Sequence, residues 1–194
     1  LEVGSYPPSA EFKAQANLSD PSVYWKAAED PEAYWAGRAR ELHWSKPFTE
    51  VLDWTNPPFA KWFQDGDRNV SVNCLDRHVN AGNGDRVAIH FEGEPGDTRT
   101  LTYGELTYEV KRAANMLTAL GVTQGDRVAI YMPMIPETVI AMLACARLGA
   151  AHSVIFGGFS AESLRSRVDD VGAELVITAD GGHRKGRVSA LKPT

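Results

Sequence analysis

Two stretches of the chain share one local pattern, in which a polar turn leads into an apolar run. They are Gly84–Ile89 and Gly125–Ile130, and both read Gly-Asp-Arg-Val-Ala-Ile. Each predicts a turn followed by a buried strand. Between them, Thr102 and Glu105 have capping-box spacing, and apolar side chains then recur every three or four residues as far as Gly121. This pattern predicts a capped helix between the two strands.

Helix and strand continue to alternate through the second half of the chain. The predicted elements are a helix from Pro136 through Ala146, a strand over 151–156, a helix between Ser160 and Gly172, and a strand over 174–178. Helices that separate apolar strands are typical of α/β folds. The sequence therefore predicts part of a doubly wound, largely parallel sheet with helices on both faces.

The first 80 residues have a different character, because they hold all five tryptophans and most of the prolines. Asp-Pro pairs at Asp20 and Asp30 are each suited to the start of a helix. We expect a mainly helical N-terminal extension over residues 1–80, with its tryptophans in a core or at a docking surface. Residues 81–194 are predicted to be the first part of an incomplete α/β domain, because the alternating pattern does not close after Thr178.

The composition and charge of the chain argue against several classes of function. The chain has 20 Lys and Arg against 25 Asp and Glu, a net charge of −5 that disfavours general nucleic-acid binding. Its two cysteines, Cys74 and Cys145, cannot form a four-thiolate zinc site. The apolar run Val139–Ala146 is far shorter than the roughly 20 residues that cross a bilayer. We therefore expect a cytoplasmic protein with neither a nucleic-acid nor a membrane partner.

Two loops follow predicted parallel strands at the edge where open α/β sheets bind ligands. One is Phe156–Phe159, whose paired glycines let a ligand approach the backbone beside a helix N-terminus. The other is Asp180–Arg187, which carries Arg184, Lys185 and Arg187. Arginine can hold a phosphate with two parallel hydrogen bonds, and lysine adds a point charge. The loops could converge on one phosphorylated ligand, although such turns and short basic loops are often only structural.

Other catalytic motifs find little support in the sequence. Gly181 and Gly186 have the spacing of a phosphate-binding P-loop, but Arg187 and Val188 stand where that motif needs Lys and Ser or Thr. The five histidines are far apart, and no Gly-x-Ser-x-Gly elbow is present. We predict no metal site and assign no catalytic residue within this chain.

Seven stretches together carry a family resemblance that covers nearly the whole chain from about Pro7. They are Trp62–Asn69, Asn73–His78, Phe91–Gly96, Leu101–Leu106, Tyr131–Glu137, Arg147–Ala150 and His152–Ser160. In combination they resemble the AMP-forming acetyl-CoA synthetases of the adenylate-forming superfamily. Leu101–Leu106 alone is common to that superfamily, so it says less about the substrate.

The resemblance implies a two-step reaction. Acetate and ATP with Mg²⁺ give acetyl-adenylate and pyrophosphate, and the coenzyme A (CoA) thiol then releases acetyl-CoA and AMP. In the family, a Phe-Gly-Gly loop and an Arg-x-Gly-Arg loop line the CoA site. Carried over, the resemblance implies CoA-binding residues at Phe156, Gly157, Gly158, Arg184, Lys185 and Arg187.

The family's Ser/Thr/Gly-rich phosphate loop, acetate-pocket Trp and late catalytic Lys do not occur in this sequence. The resemblance thus implies an N-terminal fragment that is inactive alone, with the ATP and Mg²⁺ sites outside it and the remainder of the same polypeptide as its partner. Three alternatives stay open: a propionate or other short-chain acyl-CoA synthetase, a stand-alone CoA- or nucleotide-binding module, and a structural interaction domain. An exposed sheet edge also leaves open a homo-oligomer.

Overall fold

The computed structural model describes residues 4–192, so both outer ends of the predicted segments 1–80 and 81–194 lie outside the described residues. The chain forms two compact units. The first comprises the residues up to Leu42 together with Lys46–Gly66, and the second comprises His43–Ser45 and the residues from Asp67 onward. A domain boundary near residue 80 stays a prediction.

Three helices of the first unit confirm the helical character predicted for the N-terminal extension. They are α1 (Ala10–Gln15), α2 (Ser22–Glu29) and α3 (Pro31–Arg40), and they are followed by the short antiparallel strands β1 (Leu52–Asp53) and β2 (Lys61–Trp62). The Asp30 carboxylate accepts a hydrogen bond from the Ala33 amide at 2.9 Å, which caps α3 in the predicted way. The Asp20 carboxylate likewise accepts from the Ser22 amide at the start of α2.

Four tryptophans of the first unit do not form a core. Trp25, Trp35, Trp54 and Trp62 are exposed by 75, 49, 51 and 39% respectively. Of the two roles that the sequence predicts for them, burial in a core is therefore wrong for these four. A docking role stays a prediction.

The second unit contains most of the regular structure. Its elements are two π-helical segments (Val72–Asp76 and Val79–Asn83), β3 (Val87–Glu92), β4 (Thr98–Thr102), α4 (Tyr103–Ala119), β5 (Arg127–Met132), α5 (Pro136–Leu148), β6 (Ala151–Phe156), α6 (Ala161–Val171), β7 (Leu175–Thr178), β8 (Gly181–Arg184) and β9 (Arg187–Ala190). Both hydrogen bonds of the predicted capping box are present at the start of α4, between Thr102 and Glu105. The predicted α/β class is confirmed.

A parallel three-stranded sheet in the order β6-β5-β7 forms the centre of this unit. Val128 and Ile130 of β5 lie in a core with side chains of α4 and α5. Ala129 and Tyr131 lie in a second core with Leu164 of α6. Alternate residues of β5 thus face helices on opposite sides, as a doubly wound sheet requires.

Two predictions about strands need correction. β3 is not a buried strand of the parallel sheet, because it pairs antiparallel with β4 and none of its residues is fully buried. Its partner follows after only a short turn around Gly96, so a local hairpin replaces long-range parallel pairing. The segment Asp180–Arg187, interpreted as a loop, is largely the hairpin β8–β9. Lys185 and Gly186 have φ of 55° and 72° at its two-residue turn, the conformation of a type I′ hairpin.

An ion pair joins the first π-helical segment to the end of α5. The guanidinium of Arg147 donates to both carboxylate oxygens of Asp76, at 2.7 and 2.8 Å, and also to the hydroxyl of buried Ser71 at 3.3 Å. The two charged side chains are only 21 and 19% exposed. These hydrogen bonds hold the pKa of Asp76 below its ordinary value. Such a bidentate, partly buried pair is far more constraining than an exposed ion pair.

We expect Asp76→Asn to lower the free energy of unfolding by about 1–3 kcal/mol, because Arg147 keeps its burial but loses its counter-charge. Urea denaturation near neutral pH measures the loss. Lys111→Met is the control, since the Lys111 ammonium lies 3.8 Å from Asp76 on a side chain that is 53% exposed. That change should cost less than about 1 kcal/mol.

The stability gap between wild type and Asp76→Asn should also depend on pH. A carboxyl whose pKa is lowered by folding contributes stability above its unfolded pKa, near roughly pH 4, and loses it as the pH falls through the folded pKa. We therefore expect the gap to be full near pH 7 and to narrow in acid. A gap that is constant from pH 7 down to acid unfolding would contradict an ionised Asp76–Arg147 pair.

Candidate functional site

The two candidate loops leave the same edge of the parallel sheet. Met132 at the end of β5 pairs with Phe156 at the end of β6, and Tyr131 pairs with Thr178 at the end of β7. Phe156–Phe159 therefore begins at the carboxyl end of one outer strand, and the β8–β9 hairpin begins just beyond the carboxyl end of the other. This confirms the prediction that both segments leave the carboxyl edge of the sheet, the edge at which open α/β sheets in general bind ligands.

Arg184 connects the two segments. Its guanidinium carbon lies 5.0 Å from the centroid of the Phe156 ring, within the range of a cation–π contact. A Cβ atom built on Gly158 would overlap both the Arg184 guanidinium and the Phe156 ring. A side chain at this position would thus displace the arginine, so the glycine permits the stacked arrangement. The structure brings together three of the six predicted site residues in this contact.

A cavity of about 430 Å³ opens beside this contact. Phe156, Gly157, Gly158 and Arg184 line it, together with Pro133 and Glu94. Its volume lies in the usual range for small-molecule sites. The cavity is mainly apolar and has the cationic Arg184 and the anionic Glu94 in its lining, which suits a ligand that has both a ring system and charged groups.

Close packing fixes the base of the hairpin against the sheet. A Cβ atom on Gly182 would lie 2.7 Å from the Cβ of Pro133, so hairpin and loop meet there without room for a side chain. Leu191, just after β9, is 5% exposed and belongs to the core that contains Tyr131 and Ile155. The Leu191 amide also donates to the Asp180 carbonyl at 3.0 Å. The base of the hairpin is therefore held from both of its strands.

Lys185 and Arg187 lie apart from the stacked contact. Both are exposed at or beside the hairpin turn, and neither belongs to the cavity lining. With Arg184 they concentrate three positive charges at the tip of one hairpin. His152, at the other end of β6, adds little charge near neutral pH, because burial lowers its pKa. A further cation at this edge of the sheet is Arg167 of α6, whose guanidinium carbon lies 4.3 Å from the centroid of the Phe159 ring.

Sequence reasoning missed three residues that organise the site. The Tyr131 hydroxyl donates to the Phe159 carbonyl at 3.3 Å and so fixes the loop after β6 to the central strand. Pro133 supports Gly182, and the carboxylate of Glu94 accepts a hydrogen bond from the Gly186 amide at 2.5 Å. None of these contacts has a local sequence signal, because each joins distant parts of the chain.

Residues 4–192 contain neither a candidate metal centre nor a candidate membrane-spanning helix. No group of three or more His, Cys, Asp or Glu side chains in this range could hold a metal ion. Within the same range, no helix combines the length and the apolar character that crossing a bilayer requires.

Comparison with known proteins gives two family matches. A family described as AMP-binding enzyme matches residues 75–193, and one described as Acetyl-coenzyme A synthetase N-terminus matches residues 21–74. Together these matches account for most of the chain.

Similar curated proteins include three bacterial acetyl-coenzyme A synthetases. That of Streptomyces avermitilis is 62% identical over 188 residues, which cover 97% of this chain and 29% of the relative. That of Mycolicibacterium smegmatis is 60% identical, over 97% of this chain and 20% of the relative. That of Gemmatimonas aurantiaca is 56% identical, over 98% of this chain and 29% of the relative. The chain thus spans less than a third of the length of these relatives.

We expect Gly182→Ala to lower the free energy of unfolding more than Gly158→Ala does, although each substitution adds one methyl group. The methyl at residue 182 meets the rigid ring of Pro133, so it should displace the hairpin and cost about 1–3 kcal/mol of unfolding free energy. The methyl at residue 158 meets the end of the flexible Arg184 side chain and the edge of Phe156, so it should cost less than about 1 kcal/mol. Urea denaturation measures both costs.

Crystal structures of the two variants provide the second measurement. Gly158→Ala should leave the hairpin in place and move the Arg184 guanidinium off the Phe156 ring. If that guanidinium stays over the ring, the close approach at Gly158 is not what permits the stacked arrangement.

Proposed function

Because the chain belongs to the AMP-binding enzyme family, we propose that it is the N-terminal part of an ATP-dependent, AMP-forming acetate–CoA ligase. In this proposal it supplies scaffold and part of the CoA site, at Phe156, Gly157, Gly158, Arg184, Lys185 and Arg187. The contact of Arg184 with Phe156 and Gly158 beside the cavity is the observation that carries the CoA-site assignment. The names and high identity of the relatives support acetate as the acid.

The ligand chemistry suits the two segments. The nucleotide end of CoA combines a purine ring with a pyrophosphate and a ribose phosphate. An arginine can hold phosphate oxygens with two parallel hydrogen bonds, and Arg184 and Arg187 flank a two-residue turn that presents both from one hairpin. Gly158 leaves room for the Arg184 guanidinium beside Phe156, and the Phe156 ring offers a face for a base when that guanidinium moves off it.

In the proposed reaction, acetate attacks the α-phosphorus of ATP and releases pyrophosphate. The CoA thiol then attacks the acyl carbon of the acetyl-adenylate, and AMP leaves. The thiol is at the far end of a long arm from the nucleotide, so the residues named here would act by anchoring the nucleotide and raising the local concentration of the thiol. We therefore assign them a binding role and no catalytic role. We assign no ATP or Mg²⁺ contact to this chain.

We make Arg184→Ala and Arg187→Ala in the complete reading frame that contains this chain. We expect each substitution to raise the KM for CoA about 10- to 100-fold, because each removes a charge-assisted hydrogen bond to a phosphate. Acetate-dependent ATP–pyrophosphate exchange should change less than about twofold, since CoA takes no part in that half-reaction. Steady-state kinetics and isotope exchange make the two measurements.

Arg165→Ala is the matched control, because Arg165 lies on α6 with its side chain 84% exposed. It should leave the KM for CoA unchanged. An unchanged KM for CoA in both hairpin variants would refute the CoA-site proposal. A higher kcat/KM for propionate than for acetate in the wild-type enzyme would refute the proposed acid.

We expect the isolated chain to support no acetate-dependent ATP–pyrophosphate exchange, because the proposed ATP and acetate contacts are not among its residues. Exchange is measured with labelled pyrophosphate, with the product of the complete reading frame as the positive control. Exchange by the isolated chain at more than a small fraction of the control rate would overturn this part of the proposal.

A further inference from the structure

The tip of the β8–β9 hairpin has an attachment separate from its base. The backbone amide of Gly186 donates to Oε1 of Glu94 at 2.5 Å, although the two residues are 92 positions apart in the chain. Gly186 is a central residue of the two-residue turn, between the paired residues Arg184 and Arg187. Its amide is therefore not used by the strand ladder and is available to an outside acceptor.

Glu94 is well placed to act as a fixed support. It lies in the turn between β3 and β4, where the Gly93 amide donates to the Asp97 carbonyl at 2.7 Å and the Gly96 amide donates to the Gly93 carbonyl at 2.9 Å. The next residue is Pro95, which restricts the backbone further. Glu94 also lines the same cavity as Arg184. A hydrogen-bonded turn thus carries the exposed Glu94 carboxylate that contacts the tip of the hairpin.

A hairpin that is held only at its base can rotate about that base, and its tip then moves furthest. Gly182 and Leu191 fix the base, but Arg184, Lys185 and Arg187 lie at the far end of the two strands. A small rotation about the base would move these charges relative to the cavity. The Glu94 hydrogen bond supplies a second fixed point, beside the residues whose position matters for ligand binding.

We propose that Glu94 is a positioning residue for the CoA site: its carboxylate holds the Gly186 amide and thereby sets where Arg184 and Arg187 meet the ligand. This inference rests on the proposed function. It assigns Glu94 no contact with CoA and no part in the chemical steps.

The carboxylate has a second effect, which a matched pair of variants separates. The negative charge of Glu94 weakens the attraction of the three nearby cations for a phosphate, and it does so whether or not the carboxylate accepts a hydrogen bond from Gly186. Glu94→Gln removes the charge but keeps a side-chain oxygen that can accept from Gly186, whereas Glu94→Ala removes both. Glu174→Ala is the control, since Glu174 is exposed at the amino end of β7, at the opposite edge of the sheet.

The kinetic test uses the protein from the complete reading frame. We expect Glu94→Ala to raise the KM for CoA about 3- to 10-fold, because the substitution removes one hydrogen bond. The kcat at saturating CoA and the rate of ATP–pyrophosphate exchange should both stay within about twofold of wild type. Glu94→Gln should not raise the KM for CoA. Hydrogen exchange of peptides that span residues 181–190 should accelerate in Glu94→Ala and not in Glu94→Gln or Glu174→Ala.

Three outcomes would overturn the inference. An equal fall in the KM for CoA in both Glu94 variants would make the carboxylate a purely electrostatic element. If Glu94→Ala changes neither the KM for CoA nor the hydrogen exchange of residues 181–190, in a protein where Arg184→Ala raises the KM, the hairpin needs no support at its tip. Faster exchange in Glu94→Ala with no change in KM would separate hairpin mobility from binding. If Arg184→Ala and Arg187→Ala also leave the KM for CoA unchanged, it is the proposed function that fails.

Discussion

The parallel pairing of β6 and β7 on either side of β5 determines where the Phe156–Phe159 loop and the β8–β9 hairpin begin. β5 is buried from Val128 to Met132, so it must be covered on both faces and paired on both edges. Because the three strands run in one direction, the chain leaves β6 and β7 at the same edge of the sheet. An antiparallel partner on one side would send Phe156 and Arg184 to opposite edges. The stacked contact between them is thus a consequence of strand direction.

Local sequence patterns predicted the helices well and the strand partners poorly. The capping box at Thr102 and the glycine after α5, Gly149 with φ of 74°, are encoded by a few neighbouring residues. Gly84–Ile89 and Gly125–Ile130 have identical sequences, yet the strand in the first is half-exposed in a hairpin and the strand in the second is buried in the sheet. A strand pattern does not specify its partner, since pairing depends on what the rest of the chain brings alongside.

The residues of the candidate site also differ in whether a local sequence pattern could reveal them. Phe156, Gly158 and Arg184 were predictable from glycine and charge patterns at strand ends, and the structure brings them together. The β8–β9 hairpin was missed because polar and basic residues obscure the alternation of its strands. The pair Lys185-Gly186 was the available signal, since a glycine in a two-residue turn favours a hairpin. Glu94 could not have been found from local sequence, because its partner is an amide 92 residues away.

The position of Arg184 on the Phe156 ring bears on how a ligand could enter the proposed site. A cation–π contact of a partly exposed pair is worth about 0.5–1 kcal/mol, because water competes for the cation. A charge-assisted hydrogen bond is worth about 1.5–3 kcal/mol. Phe156 is 51% exposed, so the weaker value applies to the stacked state. A phosphate can therefore draw the guanidinium away from the ring at little cost and leave the ring face free for a base.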